Sequence, residues 1–178
     1  AADRGEDDPI IIAGGPSVYN PEPYAAFFDA ILIGEGEESL LEICQLHRRL
    51  RDEGVSRAQI VEQLATVGGT YVPSLYDVLD EDEAQQTGAW VRPKYEDVPA
   101  NIVKRIWKDF ATSPAWEPTV VPFAELVHDR LNVEILRGCT RGCRFCQAGM
   151  MYRPVRERSA DNIVSAVQRG LAETGYDE

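Results

Sequence analysis

The sequence predicts an α/β protein, and three observations carry that expectation. The short apolar runs Pro9-Ile10-Ile11-Ile12-Ala13 and Ala30-Ile31-Leu32-Ile33 each lead into a glycine loop. Runs of this kind suit strands buried on both faces of a parallel sheet. Helical patterns follow them, so strand and helix alternate as in a doubly wound sheet, whose ligands bind beyond the carboxyl ends of its strands. Near the end of the chain the alternation returns once, as a strand over residues 131–136, a cysteine-bearing loop and a helix opened by Ser159.

Taken in order, the first strand stops at Gly14-Gly15-Pro16, and residues 24–29 form a helical patch opened by Asn20-Pro21-Glu22-Pro23. The second strand ends in Gly34-Glu35-Gly36-Glu37. A helix over 38–51 takes Leu40, Leu41, Ile43 and Leu46 as its apolar positions, with Cys44 as a small hydrophobe on that side. Another helix, over 56–66, starts with the capping box of Ser56 and Gln59, buries Ile60 and Leu64, and ends at Gly68-Gly69. Then the pattern changes. Tyr71-Val72-Pro73, Trp90-Val91-Arg92-Pro93 and residues 102–107 read as short strands, their prolines favouring sheet edges. Asp80-Glu81-Asp82-Glu83 reads as a solvated turn. Ile163, Val167 and Leu171 mark the buried stripe of the last helix, and Gly175 its stop.

The expected domains are therefore 1–67, the carboxyl-terminal part of a doubly wound domain; 68–130, a connector with a small antiparallel sheet; and 131–178, a strand–loop–helix unit. With no strand before Ile10 and a single unit after Leu131, the chain reads as an internal fragment of a longer protein.

Charge and cysteine usage narrow the function. A formal net charge of −12 argues against a general polyanion binder. Residues 137–158 depart from it, with six arginines and one acid. No apolar run approaches the roughly 20 residues needed to span a bilayer, and the charged amino-terminal stretch is no signal peptide. Three of the four cysteines crowd into eight positions, which is no disulfide framework and suits a reducing cytoplasm.

Those three are Cys139, Cys143 and Cys146. Thiolates select zinc, copper(I) or iron–sulfur clusters. A structural zinc site and an ordinary cubane both take four protein ligands. Three local thiols are most simply read as a four-iron cluster with one iron open to a non-protein ligand. The rival reading is a zinc site or an electron-transfer cluster that borrows Cys44 or His128. Gly138 and Gly142 each precede a ligand and let the loop fold closely, while amide N–H groups can reach the sulfurs.

Cys139-x-x-x-Cys143-x-x-Cys146, with Phe145 before the last cysteine, resembles the signature of the radical S-adenosylmethionine (radical SAM) superfamily. The wider run from Arg137 to Gly149, followed by Arg153-Pro154-Val155-Arg156-Glu157-Arg158, is similar to a branch whose members carry a cobalamin-binding domain. The resemblance implies a [4Fe–4S] cluster on the three cysteines, S-adenosylmethionine (SAM) on the open iron, and reductive cleavage of SAM to start radical chemistry. It implies that Phe145 lies against the adenine of SAM, with simple packing as the other reading. Residues 131–178 would then begin a partial α/β barrel.

Gly14, Gly15, Pro16, Gly34, Glu35 and Gly36 look like the loops beside a corrinoid tail, with plain turns as the alternative; cobalamin is thus a further cofactor the resemblance suggests. Implied partners are SAM, a substrate the motif does not name, and a reductant such as flavodoxin or ferredoxin. Neither a membrane nor a nucleic acid is expected. The other function class is a non-catalytic iron–sulfur or zinc protein for electron transfer or partner binding. For the arginines three meanings stand open: offsetting the negative cluster, binding an anionic substrate, or structural pairing, the last favoured for Arg153, Arg156 and Arg158.

Overall fold

The computed structural model describes residues 3–112, 120–124 and 127–177. They fall into two compact units, Ala1–Trp107 and Lys108–Glu178.

In the first unit, β1 (Ile12–Ala13) runs parallel to β2 (Ala30–Leu32), with Ile12 opposite Ala30 and Ala13 opposite Ile31. The parallel pairing matches the reading of the two apolar runs. Between them the expected helical patch is replaced by a 3-10 turn at Glu22–Tyr24 followed by further turns. Pro21 and Pro23 favour that short, tight form, since neither can donate a backbone hydrogen bond.

Helix α1 (Gly36–Asp52) begins with Glu37 and Glu38 and ends with Arg49 and Arg51, charges that complement its dipole. Its buried face is Ser39 and Ile43, with Leu46 half-buried. Leu40, Leu41 and Cys44, expected inside, are exposed. At 3.6 residues per turn, the row 39–43–46 that faces the core turns 40, 41 and 44 outward. Helix α2 (Arg57–Gln63) follows; Ser56 caps it by accepting from the Gln59 N–H, while Gln59 Oε1 meets the Ser56 hydroxyl at 2.9 Å rather than the Ser56 backbone N–H of a full capping box.

Strand β3 (Thr70–Tyr71) then lies antiparallel against β2, giving a mixed sheet of order β1-β2-β3. Strands β4 (Tyr76–Val78) and β5 (Val91–Pro93) pair antiparallel; of the three short strands expected here only residues 90–93 join this sheet, since Tyr71 belongs to β3 and the partner strand at 76–78 was not foreseen. Between them the acidic run is not a turn but the start of α3 (Glu81–Thr87), capped by Asp80, which accepts the Glu83 N–H at 2.9 Å. Carboxylates in a first turn stabilise a helix, which is why this run folds rather than staying solvated coil. The core comprises Ala30, Ile31, Ile43, Leu64, Val72 and their neighbours. Asp29 is buried beside it, accepting from Arg4 at 3.1 Å, Arg57 at 2.8 Å and the Ile11 N–H at 2.8 Å. Of residues 102–107, Arg105 alone makes a strand-like pair, a parallel bridge to Gly34.

In the second unit a 3-10 turn at Lys108–Ala111 buries Phe110 completely. Strand β6 (Leu136–Arg137) pairs antiparallel with β7 (Arg156–Glu157), and α4 (Ala148–Met151) lies in the loop between them. The strand expected over 131–136 is thus laddered only from Leu136, because β7 offers two residues before Ser159 opens the next helix. Helix α5 (Ala160–Thr174) is capped as predicted, Ser159 accepting the Asn162 N–H at 3.2 Å. Ala166 and Gly170 are buried, and Ile163, Val167 and Leu171 flank them half-buried. Gly170 admits Leu131: a Cβ there would stand 2.6 Å from Leu131 Cδ1. The protein is mixed α/β, with small sheets and several helices. Among the described residues no helix is long and apolar enough to cross a membrane.

Candidate metal centre

The three cysteines sit on one excursion of the chain, the loop that leaves β6 and returns at β7. Its neck is tight. Arg137 stands opposite Arg156 in the ladder, and Arg158 donates its backbone N–H to Ile135 O at 3.0 Å. Gly138 has φ 97°, and a Cβ there would lie 2.8 Å from Tyr152 O and 2.9 Å from Pro154 O. Only glycine passes that point without displacing the returning strand.

Inside the loop, Cys146 N–H donates to Cys143 O at 3.0 Å, which folds Cys143-Arg144-Phe145-Cys146 into a turn. Arg141 N–H donates to Cys139 Sγ at 3.4 Å, an amide–sulfur contact of the kind expected near a thiolate. Cys143 is exposed; Cys139 and Cys146 are half-buried. A depression of about 350 Å³ is lined by Arg141, Cys143, Arg144, Phe145, Cys146 and Met150, among others. Phe145 is 92% exposed and Met150 63%. At Gly142 an added Cβ would meet nothing within 4 Å.

The donor chemistry of this loop, three thiols with neighbouring amides and arginines, fits an iron–sulfur cluster. In the chain by itself the thiols are not drawn together: among the described residues no three His, Cys, Asp or Glu side chains are grouped to hold a metal ion. Of the rival ligands, Cys44 is exposed on α1 in the first unit and His128 is exposed in the second.

The glycine loops of the first unit serve its own packing. Gly34 (φ 115°) lies against Arg105: a Cβ would stand 2.3 Å from Arg105 O and 2.5 Å from Arg105 N. Arg105 N–H donates to Ile33 O at 2.9 Å, Glu35 N–H to Arg105 O at 3.0 Å, and Trp107 N–H to a Glu35 carboxylate oxygen at 2.5 Å. The Arg105 guanidinium bonds Glu42 at 2.5 Å and Glu38 at 3.2 Å. Gly15 (φ 98°) needs glycine for its backbone alone, with nothing within 4 Å of an added Cβ. Neither the depression at the cysteines nor a second one, of about 490 Å³ beside Phe28, Arg57 and Val61, is lined by Gly14, Gly15, Pro16, Gly34, Glu35 or Gly36. Among the described residues, these loops give no support to a corrinoid site.

One feature of the second unit left no mark on the sequence pattern. The Phe110 ring carries the guanidinium carbons of Arg158 at 4.4 Å, Arg137 at 5.0 Å and Arg156 at 5.8 Å from its centroid. Arg158 also donates to Phe110 O at 3.1 Å and Glu134 O at 3.0 Å, and Arg137 pairs with Glu134 at 2.7 and 3.0 Å. A lone phenylalanine far upstream of its arginines has no periodicity to betray it.

Residues 1–73 match the family described as radical SAM proteins, N-terminal, which supports the radical SAM class. The chain is also 29% identical over 169 residues to an uncharacterized protein of Methanocaldococcus jannaschii, a match taking in 94% of this chain and 30% of that protein. The chain thus spans less than a third of the length of this relative. No solved structure matches it.

Proposed function

We propose that this chain carries the cluster loop of a radical SAM enzyme. The observation behind the reading is the loop itself: three thiols on one excursion with a closed neck, beside a depression lined by Cys143, Phe145 and Cys146. The family match over residues 1–73 supports it independently, because the cysteines lie outside that segment.

In this reading Cys139, Cys143 and Cys146 hold three irons of a [4Fe–4S] cluster, and SAM takes the fourth. Bound there, the pair supplies reductive cleavage of SAM and so starts radical chemistry. The chain contributes ligation, amides such as Arg141 N–H directed at sulfur, and a cationic surround from Arg141 and Arg144. Phe145, held out in water, gains by stacking on the adenine of SAM. A reductant of the flavodoxin or ferredoxin class would deliver the electron. Residues 1–67 and 131–178 would belong to a doubly wound domain and a partial barrel completed by the rest of a longer protein, joined through 68–130. Cobalamin is left out of this reading, because Arg105 packs into the Gly34 loop and no observation supports a corrinoid there.

Anaerobic reconstitution with iron and sulfide tests the ligand set. The chain should take up about four irons, and Cys139→Ala, Cys143→Ala and Cys146→Ala should each lose the cluster while Cys44→Ala keeps it. Cluster loss in Cys44→Ala, or tight zinc binding in place of iron, would overturn the three-thiol reading in favour of a four-ligand site.

A further inference from the structure

We infer that Phe110 is a positioning residue for the cluster loop: its buried ring gathers Arg137 and Arg156, one from each strand of the loop's neck, and so sets the span between Cys139 and the returning chain. The inference rests on the cluster reading for its functional part, but its structural part stands on geometry alone. Arg137 and Arg156 face each other across the β6–β7 ladder. Both guanidinium groups reach the same ring, at 5.0 and 5.8 Å, and Arg158, just past β7, approaches it at 4.4 Å. Cations within about 6 Å of a ring centroid are attracted by its electron-rich face, more strongly where water is excluded. Phe110 is wholly buried and Arg158 is 6% exposed, so water is excluded here.

The ladder needs such help. Two residues a side make a sheet far below the size that is stable by itself, yet it closes a loop running from Gly138 to Val155. Arg137 is also two positions before Cys139, so any play in its side chain passes directly to the first ligand. Placing thiols for a metal requires supporting contacts that fix the elements they sit on. The ring supplies that support from outside the loop, through two of the arginines whose role the sequence left open. Arg158 adds the third contact and ties the ring's own backbone to the neck by its bond to Phe110 O.

The test uses the whole chain and reads the loop in two ways. Hydrogen exchange without iron reports the neck directly. In Phe110→Leu, peptides covering residues 135–158 should exchange about tenfold faster than in the unsubstituted chain, as loss of the buried cation–ring contacts implies. Phe110→Tyr, which keeps the aromatic face, should restore the slow rate. After reconstitution, Phe110→Leu should also release iron severalfold faster to a chelator. Should Phe110→Leu lose protection throughout α5 as well, Arg156→Gln decides instead, because it leaves the buried ring in place. Unchanged exchange over 135–158 in the deciding variant would overturn the inference. A chain that never takes up iron, yet shows the faster exchange, would refute the cluster reading and leave the neck anchor standing.

Discussion

At Gly34 an added Cβ would sit 2.3 Å from Arg105 O, whereas at Gly142 it would meet nothing within 4 Å. Both glycines drew notice as members of ligand loops, and their surroundings separate them. The first unit uses its glycine to seat its own backbone, so residues 33–35 and 105 form one hydrogen-bonded unit and the motif is fully explained by folding. In the second unit, Gly142 and the nearly fully exposed Phe145 have no folding partner that requires them. A residue that packing explains is weak evidence for a ligand. One that packing leaves unexplained, within a run of three thiols, directs attention to a cofactor.

The contrast breaks first at Gly34. Gly34→Ala should destabilise the first unit by roughly 3 kcal/mol or more, through its positive φ and the collision with Arg105. Urea unfolding of the whole chain measures it; a near-neutral value would mean that Arg105 can lift away and the loop is free for a ligand.

A smaller effect belongs to pH and to the first unit alone. Burial, and then the hydrogen bond and charge of Glu22, raise the Tyr71 phenol well above its ordinary value of about 10. The folded state therefore holds that proton when the unfolded chain has begun to lose it. The associated stability is complete below pH 10 and declines as pH rises beyond it, by about 1.4 kcal/mol per pH unit at most. Tyr71→Phe should flatten this alkaline decline; a decline of unchanged slope would place its origin elsewhere.

The smallest effect should fall on the cysteine loop. Gly142→Ala should change the stability of the iron-free chain by no more than about 0.5 kcal/mol, since its Cβ enters open space and its φ is not positive. A cost like that at Gly34 would show that the loop is already packed and has no need of a cluster.

What the sequence made legible was local. Ser56 and Ser159 announced their helices because a cap and the N–H that donates to it lie three residues apart, within reach of pattern alone. The two apolar runs announced β1 and β2 and their parallel pairing. Long-range choices were hidden: β3 returning antiparallel on β2, and Arg105 entering the Gly34 loop, depend on segments far apart in the chain. Leu40 and Leu41 misled because a helix shows several apolar residues and the core takes only one row of them. The acidic run misled because charge suggests solvent, while Asp80 and three following acids also suit a helix start. At the candidate site, the three cysteines stood out by their spacing and Phe145 only through the resemblance; the ring of Phe110 did not stand out, since a cation–ring contact leaves no period in sequence.

The central claim is that three thiols leave one iron open, and SAM itself can report that opening. Electron paramagnetic resonance of the reconstituted, dithionite-reduced chain should give a cluster signal that changes in g-values or intensity when SAM is added. The same change should be absent with methylthioadenosine, which keeps the adenosine and the thioether but lacks the amino and carboxylate groups that would reach the iron. A strong reduced-cluster signal that stays identical at saturating SAM would contradict the open-iron ligation and with it the assignment of this loop.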